Sequence, residues 1–166
     1  MWLFDMQVFR RLLILASLAL LTACGFRLEG SEPLPEAFDN TYIATTDRYT
    51  YFYRSLTSDL RQRGVTLASG PASATAVIRI NADSSGQSVT AVSARNTPLE
   101  YQAFYSIDFS VEVGGETVLE NQSASLANRY EYDETKVLGK EEEFDMLSAS
   151  QAKDLSRRVL IQLSKL

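Results

Sequence analysis

The run Tyr101-Gln102-Ala103-Phe104-Tyr105-Ser106-Ile107-Asp108-Phe109-Ser110-Val111-Glu112-Val113 alternates apolar and polar side chains along its whole length, and Gly114-Gly115 follows at once. Successive side chains of a strand point to opposite faces. Tyr101, Ala103, Tyr105, Ile107, Phe109, Val111 and Val113 therefore share one face, and Gln102, Ser106, Asp108, Ser110 and Glu112 share the other, with Phe104 the one exception on the polar side. The pattern predicts a long central antiparallel strand with one face on the core and one face wet. Glycines at both central positions accept positive φ, so a tight two-residue hairpin loop is expected at Gly114-Gly115. The return strand, from about Glu116 to Tyr130, is more polar and suits a place near an edge.

Upstream of this run, Ala76, Ile78 and Ile80 alternate with Val77, Arg79 and Asn81, a second strand. Ser84-Ser85-Gly86 reads as a turn, Val89 to Val92 as a return strand, and Ser93 to Pro98 as a polar link. Nearer the N-terminus the period changes. Phe52, Leu56 and Leu60 recur every four residues, which predicts an amphipathic helix from Tyr51 that ends at a Gly64 cap. A short strand over Thr41 to Thr45 precedes it, and Val65-Thr66-Leu67 leads back toward the core. At the other end, Phe144, Leu147, Gln151, Leu155, Val159 and Leu163 form one stripe of a helix from Glu141 to Leu163, with Met146 off the stripe. Glu141, Glu142 and Glu143 at its start, and Arg157, Arg158 and Lys165 toward its end, would complement the helix dipole. The expected fold is α+β: two helices packed on one face of a mostly antiparallel sheet of four or five strands, in the order β-α-β-β-β-(β)-α.

The N-terminus has a different character. Arg10 and Arg11 precede Leu12 to Leu21, an uncharged run well short of the roughly 20 residues a spanning helix needs. Leu21-Thr22-Ala23-Cys24-Gly25 closes it, so residues 1–23 read as a lipoprotein signal peptide and Cys24, the single cysteine of the chain, as the acylated first residue of the mature protein. Acylation also removes the liability of a lone thiol in an oxidising compartment. Gly25, rather than an acidic residue beside the cysteine, is the arrangement of lipoproteins passed on to the outer membrane. Met6 serves as well as Met1 for the initiator. Residues 24–37, with Pro33 and Pro35, form an extended tether, and 38–166 a single folded domain on the periplasmic side.

Composition excludes several function classes. The formal net charge is −5 and no dense Lys/Arg face is present, which argues against a nucleic-acid partner. With no histidine, the commonest general base and zinc ligand are missing. Adjacent acids such as Asp133-Glu134 or Glu141 to Glu143 are not two carboxyls held across a cleft. Ser84-Ser85-Gly86 has no neighbouring base, and Gly114-Gly115 lacks the lysine and glycine spacing of a phosphate loop. No catalytic residue, metal site or cofactor is indicated.

Several strings in order resemble the LptE family of lipopolysaccharide-assembly lipoproteins. They are Cys24-Gly25-Phe26-Arg27-Leu28-Glu29-Gly30; Arg54, Leu56, Leu60 and Gly64-Val65; Arg95 with Leu99-Glu100-Tyr101-Gln102; and Arg129-Tyr130-Glu131-Tyr132-Asp133 with Val137-Leu138-Gly139-Lys140-Glu141-Glu142-Glu143. Glu29 departs from the arginine commoner at its position, and the polar tail of some members does not follow Leu166. The resemblance implies an outer-membrane lipoprotein that acts as a plug in the LptD β-barrel, one copy per barrel, assists its assembly and contacts lipopolysaccharide. It also implies lipopolysaccharide-binding roles for Arg95 and Lys140, whose cations would pair with phosphates. Arg129 and Lys136 are weaker candidates. The chain has eight tyrosines, and tyrosine suits interfaces that are apolar yet partly wet. Tyr49, Tyr51, Tyr53, Tyr130 and Tyr132 are the candidate partner contacts, while Tyr101 and Tyr105 belong to the core face. The alternative is a lipid-anchored accessory or pilotin-like lipoprotein of another envelope secretion or lipid-transport complex.

Overall fold

The computed structural model describes residues 33–131 and 137–166. Within them a five-stranded sheet has the order β2-β1-β3-β4-β5. Its strands are β1 (Asn40–Ala44), β2 (Thr66–Leu67), β3 (Ala76–Val92), β4 (Pro98–Val113) and β5 (Glu116–Glu131). Two helices, α1 (Tyr51–Gln62) and α2 (Val137–Leu163), pack on one face, and single 3₁₀ turns occupy Glu36–Phe38 and Pro71–Ser73. β1 runs parallel to β2 and β3, and β3, β4 and β5 form an antiparallel ribbon. The predicted α+β class and helix-on-sheet layering stand.

β4 carries the predicted alternation residue for residue. Ala103, Tyr105, Ile107, Phe109 and Val111 are buried, and the residues between them are half-buried or exposed. Gly114 and Gly115 take φ of 60° and 87°, the hairpin geometry expected of them. β5 lies at the edge, as its polarity suggested.

The apparent turn at Ser84-Ser85-Gly86 is not a turn. β3 passes straight through it, and Val89 to Val92 continue the same strand rather than returning. A register shift between Ile80 and Ala82 keeps Asp83, Ser85 and Gln87 on the helix side, opposite Ile107, Tyr105 and Ala103. Gly86 faces Phe104 across the ladder, and a Cβ built on Gly86 would lie 2.5 Å from the Phe104 ring. The glycine therefore marks a close approach within a strand. The exceptional Phe104 is its cover, an aromatic laid over a bare stretch of backbone. The fifth strand is instead the two-residue β2, paired to β1.

α1 is set by its ends as much as by its stripe. Thr50 caps the start, accepting from the Tyr53 N–H at 3.1 Å. At the other end Gly64, at φ 83°, lets the Val65 N–H reach the Leu60 carbonyl at 3.1 Å and its own N–H reach Arg61 at 3.0 Å, the paired bonds of a Schellman cap. The buried Tyr105 hydroxyl ties this helix to the ribbon. It donates to Asp83 Oδ1 at 2.8 Å and accepts from the Phe52 N–H at 3.1 Å. Burial first, and then the bond to Asp83, hold its phenol well above the ordinary tyrosine range.

α2 begins at Val137, four positions before the predicted start, so Glu141 to Glu143 fall in its second turn. No basic residue lies in its last turn either. Dipole effects fade beyond the terminal turns, so the predicted charge complementarity is weakened at both ends. The predicted stripe is present but wider. Ser148, Ala152, Ser156 and Leu160 are buried beside Gln151, Leu155, Val159 and Leu163, and Ser156 donates to Asp59 Oδ2 of α1 at 2.7 Å. Small side chains here allow the two helices to approach closely. Met146 is exposed, as its place off the stripe required. The dry core gathers Phe38, Phe52, Leu56, Leu60, Ile78, Ile107, Phe109, Val111, Leu155 and Leu160 between both helices and the near half of the ribbon.

Candidate functional site

The far half of the β3–β4–β5 ribbon runs beyond the level at which α1 begins. Here the helix-side face is polar and aromatic rather than aliphatic. Gln151 of α2 donates to the Ala103 carbonyl at 3.1 Å and to Asn128 Oδ1 at 2.9 Å, bridging β4 and β5. Farther out, Tyr130 stacks on its cross-strand partner Tyr101 with ring centroids 5.8 Å apart, and its hydroxyl donates to Gln87 Oε1. Burial, followed by the nearby Glu143 carboxylate, raises the Tyr130 phenol as well. That interaction places the second turn of α2 beside the end of β5.

The β3–β4 hairpin closes this end, and its tip carries Arg95. The Ser93 N–H bonds to the Thr97 carbonyl at 2.8 Å, and Asn96 adopts φ 61°, a left-handed geometry that asparagine tolerates. Ser93 Oγ accepts from the Arg95 N–H at 3.2 Å and the Thr97 N–H at 3.1 Å. The guanidinium is exposed, and no ion pair among the described residues engages it. Apolar side chains flank it: Val92 is 52% exposed and Leu99 is 50% exposed. Below them an open groove of about 710 Å³ is lined by Ala91, Leu99, Glu100, Arg129, Tyr130 and Glu131.

The other predicted site residues distribute as follows. Arg129 lies 3.8 Å from Glu100, so its charge is partly answered, unlike that of Arg95. Lys140 falls in the first turn of α2, and its side chain lies outside the described residues, as do Cys24, Tyr132 and Lys136. Tyr49 is 87% exposed, while Tyr51 and Tyr53 are half-buried against the core, with the Arg54 guanidinium 5.0 Å from the centre of the Tyr51 ring. These three cluster at the start of α1 and Tyr130 stands at the ribbon end. The described candidate tyrosines thus form two groups. The apolar shoulders Val92 and Leu99 were not among the predicted site residues. Their signal was a pair of large aliphatics directly bordering a polar link.

The wet face of the sheet is bound to itself. Arg79 pairs with Glu112 at 3.0 Å, Asn81 reaches Ser110 and Asn121, Ser84 meets Ser106 at 2.8 Å, and Ser123 donates to Asp108 at 2.5 Å. Among the described residues no group of His, Cys, Asp and Glu is placed to hold a metal, and no helix is long and apolar enough to cross a membrane.

Comparison with known proteins agrees with this architecture. The chain resembles the crystal structure of rare lipoprotein B from Shewanella oneidensis, with a TM-score of 0.66 and 20% identity over 76% of this chain and 94% of that one. It also resembles the solution structure of an uncharacterised lipoprotein B from Nitrosomonas europaea, with a TM-score of 0.68 and 20% identity over 84% and 90%. A minor lipoprotein from Acinetobacter baumannii gives a TM-score of 0.64 and 19% identity over 80% and 94%. At such identities these likenesses speak for the fold alone. Among curated proteins none matches the chain significantly. The family model described as LptE, lipopolysaccharide-assembly, matches residues 38–163, nearly the whole folded domain. The chain therefore belongs to the LptE lipopolysaccharide-assembly family, whose members are non-catalytic lipoproteins held by lipid at the periplasmic side of the outer membrane.

Proposed function

We propose that this domain is the plug of an LptD-type outer-membrane β-barrel, one copy per barrel, and that it contacts lipopolysaccharide through Arg95 and Lys140 on the way to the outer leaflet. With a signal peptide over residues 1–23 removed, the acylated Cys24 and a tether over residues 24–37 would hold the domain at the membrane. Barrels of this kind have polar interiors, and the open face of the sheet is a polar surface whose side chains already satisfy one another. Such a face can sit in a wet lumen without a desolvation penalty for lone charges.

The observation that carries the lipopolysaccharide contact is the tip of the β3–β4 hairpin. An exposed guanidinium with aliphatic shoulders is suited to an amphiphile that carries phosphate beside acyl chains. The fixed turn geometry beneath it limits the entropy lost on binding. Lys140 would add a second cation from the start of α2.

Arg95→Ala with Lys140→Ala is expected to weaken binding of purified lipopolysaccharide by roughly a hundredfold or more, since charge-assisted hydrogen bonds are worth about 1.5–3 kcal/mol each. The salt dependence of binding should flatten with it, while thermal stability stays close to the parent's. Titration of the purified domain at two salt concentrations reads both quantities. Unchanged affinity with unchanged salt dependence would sink the assignment of these two residues.

A further inference from the structure

The two edges of the sheet are built differently. On one side the edge is the two-residue β2, laid against the five-residue β1. On the other side lies β5, sixteen residues long, with no strand beyond it among the described residues. From Gln122 to Arg129 it pairs with β4 at every position, and its register shifts fall earlier, opposite Phe109 to Glu112. Every other residue of such a strand turns its N–H and C=O away from the sheet. That row is a template for another strand.

Proteins usually blunt such an edge with proline, lysine, a bulge or brevity. Residues 122–129 read Gln-Ser-Ala-Ser-Leu-Ala-Asn-Arg, with no proline, lysine or glycine and one charge at the very end. The short edge is guarded, and residues 122–129 of the long one are not.

The side chains along this edge select the kind of strand that fits. Ser123, Ser125 and Ala127 lie exposed on the open face, and Ala124 and Leu126 lie half-buried on the helix side. Most are small, so they leave shallow steps beside the edge on both faces. Cross-strand pairs stabilise a sheet through contact between facing side chains. A second copy of β5 would set serine and alanine mostly against serine, alanine and asparagine, and would gain little. A strand with β-branched or aromatic residues fills the steps.

We propose that β5 from Gln122 to Arg129 is a docking edge that takes up an extended segment of a partner protein, with β-branched or aromatic side chains, as a sixth strand. The inference rests on the barrel reading above, in which that segment belongs to the barrel chain.

The test places a photo-crosslinking amino acid at Ser125 and, separately, at Ala127 in the full-length lipoprotein in cells, and maps the linked peptides by mass spectrometry. Strand pairing predicts that the two positions capture sites two residues apart in one short stretch of the barrel chain. Crosslinks scattered over the barrel, crosslinks to a second copy of this chain, or none at all overturn the docking edge. A barrel that still co-purifies in those cases leaves the barrel reading intact. A two-residue ladder onto a different envelope protein would keep the edge and refute the barrel. In parallel, Ser125→Lys with Ala127→Lys is expected to cut recovery of the partner at least tenfold with an unchanged thermal midpoint. Undiminished recovery would overturn the proposal.

Discussion

Phe109→Ala is expected to lower the unfolding free energy by about 3–5 kcal/mol, the range for removing a buried aromatic ring. Phe109 is 1% exposed and sits mid-strand on β4, between Ile80 of β3 and Gln122 of β5, within the layer that α1 and α2 cover. The cavity opens where both helices and the ribbon converge, so no single side chain can swing in to fill it. Against a typical total of roughly 5–15 kcal/mol, this is a large share of the stability. Urea titration should show a lower midpoint with an unchanged slope. The neighbour Phe104 supplies the control. It is 38% exposed on the other face, and Phe104→Ala should cost about 1 kcal/mol, the loss of a ring resting on Gly86. Equal losses at the two sites would mean that the layers are wrongly assigned.

Tyr105→Phe is the second large effect. The hydroxyl holds Asp83 on β3 and the Phe52 N–H at the start of α1, so its removal strips partners from a carboxylate and a helix-end donor at once. The expected loss at neutral pH is about 1–3 kcal/mol, the cost of leaving buried polar groups unpaired. The Tyr105 phenol is raised in the folded state above its ordinary value of about 10, chiefly by burial. The folded form thus holds its proton where the unfolded form has released it. Its contribution is complete below about pH 10 and is lost as pH climbs toward the folded value. Stability of the parent should therefore fall steeply in alkali, and that of the Tyr105→Phe protein should fall less, with Tyr130 contributing in the same direction. A variant as stable as the parent at neutral pH, with the same alkaline slope, would show that this hydroxyl does not join α1 to the ribbon.

The legible parts of this fold were those where one period runs long enough to dominate. The β4 alternation, the Phe52-Leu56-Leu60 stripe and the glycines of the hairpin and helix cap each follow from a local rule, and each is found as predicted. Local composition misleads where tertiary context overrides it. Ser84-Ser85-Gly86 has the make-up of a turn, yet β4 offers a partner along its whole length and Phe104 covers the glycine. β2 is too short to announce itself and exists because β1 leaves a parallel edge beside it. Ser148 and Ser156 look like surface residues of α2 and are buried, Ser156 with its hydroxyl on Asp59 of α1.

The candidate site was legible only in part. Arg95 was found through a resemblance, and its exposed place on the hairpin tip is a product of the pairing of Val92 with Pro98. Val92 and Leu99 are not marked by the sequence, because alternation predicts which face a residue takes, not whether anything covers that face. Of the candidate tyrosines, Tyr49, Tyr51 and Tyr53 stand at the start of α1 and Tyr130 at the end of the ribbon. A folded domain with a dry half and a wet half suits a plug, since the dry half holds the shape while the wet half presents polar and aromatic groups.

Detergent extraction followed by affinity purification of the intact lipoprotein, with stoichiometry read by quantitative mass spectrometry, tests the central claim most directly. A large single-chain outer-membrane barrel is expected in equimolar amount. Recovery instead of a ring-forming secretin, an inner-membrane transport component, or the lipoprotein alone would contradict it.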